Sequence, residues 1–161
     1  MGGGGGGGRT TLGDVKSLMD KAREEIRRGE EQARKNVFLS FAYEDINEVN
    51  LLRGQAKNEQ SQLEFNDWSV REPFDSERAE YIRQKIGERI SQSSVTVVYL
   101  STHSAASNWV NWEVEESLRR GKAVIAVHKG DAAPASLPPA VTSHKIKIVP
   151  WAKLANTLAG I

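Results

Sequence analysis

The chain has 161 residues with 22 Lys+Arg, 21 Asp+Glu, three His and no cysteine, a length that suits one domain with an appended element. Its 39% apolar and 27% charged residues are those of a folded globular chain, and a net charge of +1 gives no electrostatic reason to expect nucleic acid or an anionic membrane as partner. Without cysteine there is no disulfide framework or thiol nucleophile, the scattered His103, His128 and His144 suggest no metal site, and the absence of a membrane-length apolar run or signal-peptide core predicts a cytoplasmic protein.

Residues 1–10, with glycine from Gly2 to Gly8, are expected to be a disordered tail, since glycine loses the most backbone entropy on ordering. The run is no dinucleotide loop, because no strand precedes it. Residues 11–35 read as an amphipathic helix, with Leu12, Val15, Met19, Ala22 and Ile26 at alternating spacings of three and four. Such a stripe docks on its own domain, on a second copy or on a partner. Residues 36–161 form the main domain. Val37–Phe41 is a short strand, Asp45 to Glu59 a polar helix, and Leu63–Phe65 a second strand. A helix from about Ser76 repeats Ile82, Ile86 and Ile90, and the nearly all-apolar Val95–Leu100 suits a central parallel strand. A helix from Asn108 to Arg120 stops at Gly121, and Val124–Val127 is the fourth strand. Lys129 to His144, with three prolines, is expected to be loop; Ile146–Val149 is an edge strand, and a helix closes the chain from Pro150.

Five strands alternating with helices predict an α/β flavodoxin-like three-layer sandwich with a parallel five-stranded sheet, plus the N-terminal helix. In such sheets ligands bind beyond the carboxyl ends of the strands, which directs attention to residues after Phe41, Phe65, Leu100 and Val127. The acidic Ala42-Tyr43-Glu44-Asp45 is unsuited to flavin phosphate. A receiver-domain phosphoacceptor Asp is replaced by Ser101-Thr102, and no Walker loop is present. On the helix after the third strand, Val110, Val114 and Leu118 form the stripe facing the sheet. Trp109 and Glu113, one turn apart, share another stripe near the helix start. A Trp one turn before a Glu is ordinarily a surface carboxylate beside a half-buried ring; at the strand-end face it is also a candidate site.

The combination resembles a TIR domain, and more closely the TIR-like proteins of bacterial Thoeris anti-phage defence. The matching segments are Phe38-Leu39-Ser40-Phe41-Ala42-Tyr43-Glu44-Asp45, Phe65-Asn66-Asp67-Trp68-Ser69, Ser94 to Leu100, and Ser107-Asn108-Trp109-Val110-Asn111-Trp112-Glu113-Val114, all within about Asn36 to Gly130. The resemblance implies cleavage of the nicotinamide–ribose bond of NAD+, which is the substrate rather than a resident cofactor. The ADP-ribose is then hydrolysed or cyclised into a signal nucleotide for a downstream effector protein. It implies Glu113 as the catalytic residue, with Phe41, Tyr43, Asp67, Ser69 and Trp109 around the substrate, and it implies self-association. Ala42 and Tyr43 stand where related NAD+-cleaving domains often carry Arg, which favours the Thoeris-type cyclase.

One carboxylate suits that chemistry. Nicotinamide leaves neutral from a cationic bond, so no general acid is required, and an ionised Glu steadies the oxocarbenium-like ribose. Glu113 is therefore expected to stay ionised near its helix N-terminus. Asp67 either holds a ribose hydroxyl or caps a turn, Trp112 is expected in the core, and His103 is expected mainly at the rim. The competing reading is a non-catalytic interaction module, with Glu113, Glu115 and Glu116 forming a solvated acidic face.

Overall fold

A computed structural model of the chain describes residues 11–33, 35–59, 63–67 and 72–161. The expected tail at 1–10 lies outside them. The chain divides into two units, Met1–Arg34 and Lys35–Ile161.

The first unit contributes α1 (Leu12–Ala33). Its start is a capping box with Asp in the usual place of Glu: Asp14 N donates to Thr11 Oγ1 at 3.1 Å while Thr11 N donates to Asp14 Oδ2 at 3.2 Å. Leu12, Val15, Leu18, Met19 and Ile26 are exposed. No helix among the described residues is long and apolar enough to cross a membrane.

The second unit is built on β1 (Lys35–Ser40), β2 (Leu63–Asn66), β3 (Val95–Leu100), β4 (Ala123–His128) and β5 (Lys147–Pro150). All pair in parallel in the order β2-β1-β3-β4-β5, the flavodoxin-like arrangement expected from the alternating pattern. The order reverses between β1 and β3, whose register sets Val37 beside Val95 and Ser40 beside Val98. Strand periodicity sorts the faces. Val37, Leu39, Val97 and Tyr99 point to α2 (Ile46–Glu59) and α6 (Leu154–Ala159), where Tyr99 donates from its hydroxyl to Glu48 at 2.5 Å. Phe38, Ser40, Val98 and Leu100 point to α3 (Ala79–Gln92), α4 (Asn108–Arg119) and α5 (Pro139–Ser143). The result is three layers.

Ser107 caps α4 by accepting from Val110 N. Gly121, at φ 74°, ends it in a Schellman turn in which Lys122 N donates to Ser117 O and Gly121 N to Leu118 O. Two expectations shift. The helix expected from Ser76 begins as α3 at Ala79. The stretch read as loop up to His144 contains α5, because a proline at the first helical turn is compatible with a start as well as a break. Ala140 and Val141 bury against β3 and β4, and Ala140 N donates to Asn111 Oδ1 at 2.8 Å.

Candidate active site

Beyond the carboxyl ends of β1 and β3 lies a cavity of about 510 Å³. Strand alternation turns Ser40 toward α4, and the helix period brings Glu113 onto it: Ser40 Oγ donates to Glu113 Oε1 at 2.6 Å. Glu113 is 3% exposed, yet it lines the cavity. Burial pushes its pKa up to about 8; the Ser40 bond opposes that shift, and the charge of Asp67 adds to it. The ionised state expected from sequence is therefore corrected. Glu113 sits in the second turn of α4, past the reach of the helix-end dipole, and loss of water governs its proton instead.

The wall is aromatic. Trp109 Nε1 donates to Glu72 O at 2.7 Å, and the Phe74 ring meets the indole edge-on at 4.9 Å. Arg83 lies 4.3 Å from the Phe74 ring centroid and donates to Phe74 O at 2.8 Å. These bonds clamp segment 72–74 against α3 and α4. Phe41 and Tyr43 complete the wall. Among the described lining residues the acids are Glu44, Glu72 and Glu113, and none is Lys or Arg. Such a hollow favours a flat, positively charged group.

At the rim, the turn after β3 meets the loop after β1. Asp45, 5% exposed, accepts from Ser101 Oγ at 2.5 Å on one carboxylate oxygen and has His103 Nδ1 at 2.9 Å from the other. His103 N and Ser104 N both donate to Ser101 Oγ. The Asp45 hydrogen bond, and then its charge, hold the His103 pKa above the ordinary histidine value.

Of the residues singled out from sequence, Glu113, Trp109, Phe41 and Tyr43 meet at this cavity. Asp67 is not among the described lining residues; its oxygens take both Nη groups of Arg53, at 3.1 and 3.2 Å. Ser69, with Trp68, lies outside the described residues. Trp112 is half-buried, packing edge-on against Trp109 at the margin of the core. The solvated acidic face is overturned. Glu113 and Glu116 are buried, the latter paired with Arg119 and Arg120, and Glu115 pairs with His144. The sequence reading missed Ser40, Asp45 and Ser101. A lone serine in an apolar strand was the available signal for Ser40. Among the described residues no cluster of three or more metal-ligating side chains occurs.

The sequence model of the family described as Thoeris protein ThsB, TIR-like domain, matches residues 38–133. ThsB1 of Bacillus cereus (strain MSX-D12), whose name proposes a cyclic ADP-D-ribose synthase, is 29% identical over 98 residues, or 58% of this chain and 51% of that protein. The chain thus spans about half the length of that relative. Among solved structures, the CMP N-glycosidase BcmB of Clostridium botulinum aligns with a TM-score of 0.49 at 13% identity, covering 79% of this chain and 100% of that one.

Proposed function

This chain belongs to the TIR-like domain family of the Thoeris protein ThsB, and on that premise we propose that it cleaves the nicotinamide–ribose bond of NAD+. The observation that carries the reading is Glu113, a buried carboxyl in a hollow with aromatic walls and, among its described lining residues, acids but no Lys or Arg. The nicotinamide ring of NAD+ is flat and cationic. Its stacking against the cavity wall of Phe41, Tyr43 and Trp109 excludes water, and its charge favours the carboxylate form of Glu113. Binding therefore expels the proton that burial holds on the free enzyme.

With Glu113 ionised beneath the ribose, the C1′–N1 bond breaks and its electron pair leaves on neutral nicotinamide. The positive charge develops on C1′ and the ring oxygen, where the carboxylate stabilises it. Ser40 keeps that carboxylate oriented through its 2.6 Å hydrogen bond. An oxygen or nitrogen of the ADP-ribose then closes on C1′, or water does. The first outcome yields a cyclic nucleotide for a downstream effector in anti-phage defence, and the name of the Bacillus cereus relative favours it. A cytoplasmic location belongs to the same reading.

The test is incubation of NAD+ with the concentrated protein, nicotinamide release followed by chromatography and the second product by mass spectrometry. Cyclic and linear ADP-ribose differ by one water. Release by the wild type and its loss in Glu113→Gln supports the proposal; equal release by the two refutes the role of Glu113. A second reading, a self-assembling module without turnover, draws on the exposed apolar residues of α1. It is the better account if Leu12→Ser/Met19→Ser/Ile26→Ser dissolves an assembly while NAD+ stays intact with the wild type.

A further inference from the structure

The Asp45–His103 pair has a geometry that neither core packing nor the Glu113 chemistry uses. Asp45 is nearly buried and has both carboxylate oxygens occupied, by Ser101 Oγ at 2.5 Å and His103 Nδ1 at 2.9 Å. Since Ser101 donates to that carboxylate and a carboxylate only accepts, the ring hydrogen is assigned to Nδ1. The other ring nitrogen, Nε2, then carries the lone pair. The His103 side chain is half exposed, and His103 lines the same cavity as Glu113. Its backbone is fixed as well, because the amides of His103 and Ser104 both donate to Ser101 Oγ. The pair spans the sheet's switch point, with Asp45 from the loop after β1 and His103 from the turn after β3. A histidine oriented by a buried carboxylate, half exposed on the wall of a reaction cavity, is the arrangement of a general base.

We propose that His103, oriented by Asp45, is the general base that takes the proton from the hydroxyl capturing the ribosyl cation. The inference rests on the NAD+ reading above. After the C1′–N1 pair has left on nicotinamide, a hydroxyl oxygen of ADP-ribose or of water forms the new C1′–O bond. Its O–H bond breaks, and the proton passes to Nε2 of His103. The imidazolium is stabilised by Asp45 and returns the proton to solvent across its exposed edge. Glu113 is unsuited to this step, because taking the proton would discharge the carboxylate while the cation needs it. The charged groups acting on His103 are Asp45, Glu44 and Glu48, and all three favour its protonated form. Capture therefore accelerates as pH rises through the histidine's raised value.

The experiment compares wild type, Glu113→Gln, His103→Ala and His103→Gln as full-length chains at high concentration, with circular dichroism confirming the fold. Product formation is followed by mass spectrometry across pH, with and without added imidazole. His103→Ala is expected to slow formation of the oxygen-captured product by about 100-fold or more. Imidazole should restore a large part of that rate in His103→Ala, but none in Glu113→Gln. Asp45→Asn, which disturbs the ring tautomer, should act in the same direction. A His103→Ala rate within about threefold of wild type overturns the assignment, as does a large loss that imidazole leaves untouched in a folded protein. If wild type releases nicotinamide and Glu113→Gln does not, such results remove His103 alone. If wild type releases none, the NAD+ reading falls and this inference with it.

Discussion

Replacing Glu113 by Gln keeps the shape of the side chain and its hydrogen bond from Ser40 but removes the titrating group. In the folded protein burial raises that carboxyl from 4.5 to about 8. The unfolded chain therefore releases the proton first, and between those values the native state binds more protons than the unfolded one. Stability falls as pH rises through that window and levels off above it. At about 1.4 kcal/mol per pH unit, the full effect is about 5 kcal/mol near pH 9 and about 3 kcal/mol at neutral pH. Glu113→Gln should thus unfold together with wild type near pH 4 and about 15 °C above it near pH 9. Thermal melts followed by circular dichroism at a series of pH values, in one buffer of fixed ionic strength, measure the divergence. Parallel melting curves across the range would refute the burial argument, whatever the variant does to activity. The same proton links stability to catalysis, since the free enzyme must lose it before Glu113 faces a cation. Hence kcat/KM is expected to rise with pH through about 8.

Ser40→Ala deletes the contact that favours the ionised carboxyl, so the ascending limb of kcat/KM should move up by about one pH unit; a pH–rate profile checks it. Trp109→Phe keeps the ring but loses the bond to Glu72 O. It should cost about 1–2 kcal/mol in urea unfolding and raise KM several-fold by releasing segment 72–74 from α4. Gly121→Ala forces a Cβ into the left-handed backbone that ends α4 and should cost about 1 kcal/mol in the same assay, with NAD+ turnover preserved.

Much of the architecture is legible in local pattern. Val95–Leu100 is apolar at nearly every position because both sheet faces are covered, and its bounds match β3. The pairing of Trp109 with Glu113 follows from the helical period alone. α5 was hidden because proline at a helix start and proline in a loop read alike until Ala140 and Val141 are seen buried. From local pattern Asp67 is equally a ribose-holding acid or a turn cap beside a strand end. Arg53, fourteen residues earlier, claims it because α2 packs alongside β2, which no local pattern states.

Residue order and spacing were enough to establish the alternation of strands and helices, the parallel sheet, the capped helix α4 and the nearness of an indole to a carboxyl group. These depend on interactions within a few residues and on periods of two and 3.6. The chemical state of that carboxyl did not follow from them. Whether Glu113 holds a proton depends on Ser40, 73 residues away, and on the water excluded when β1, α3 and α4 close together. The Asp45–His103 pair likewise joins positions 58 residues apart that meet only where the sheet reverses its strand order. Dielectric and long-range contact arise from packing, so they belong to the folded chain.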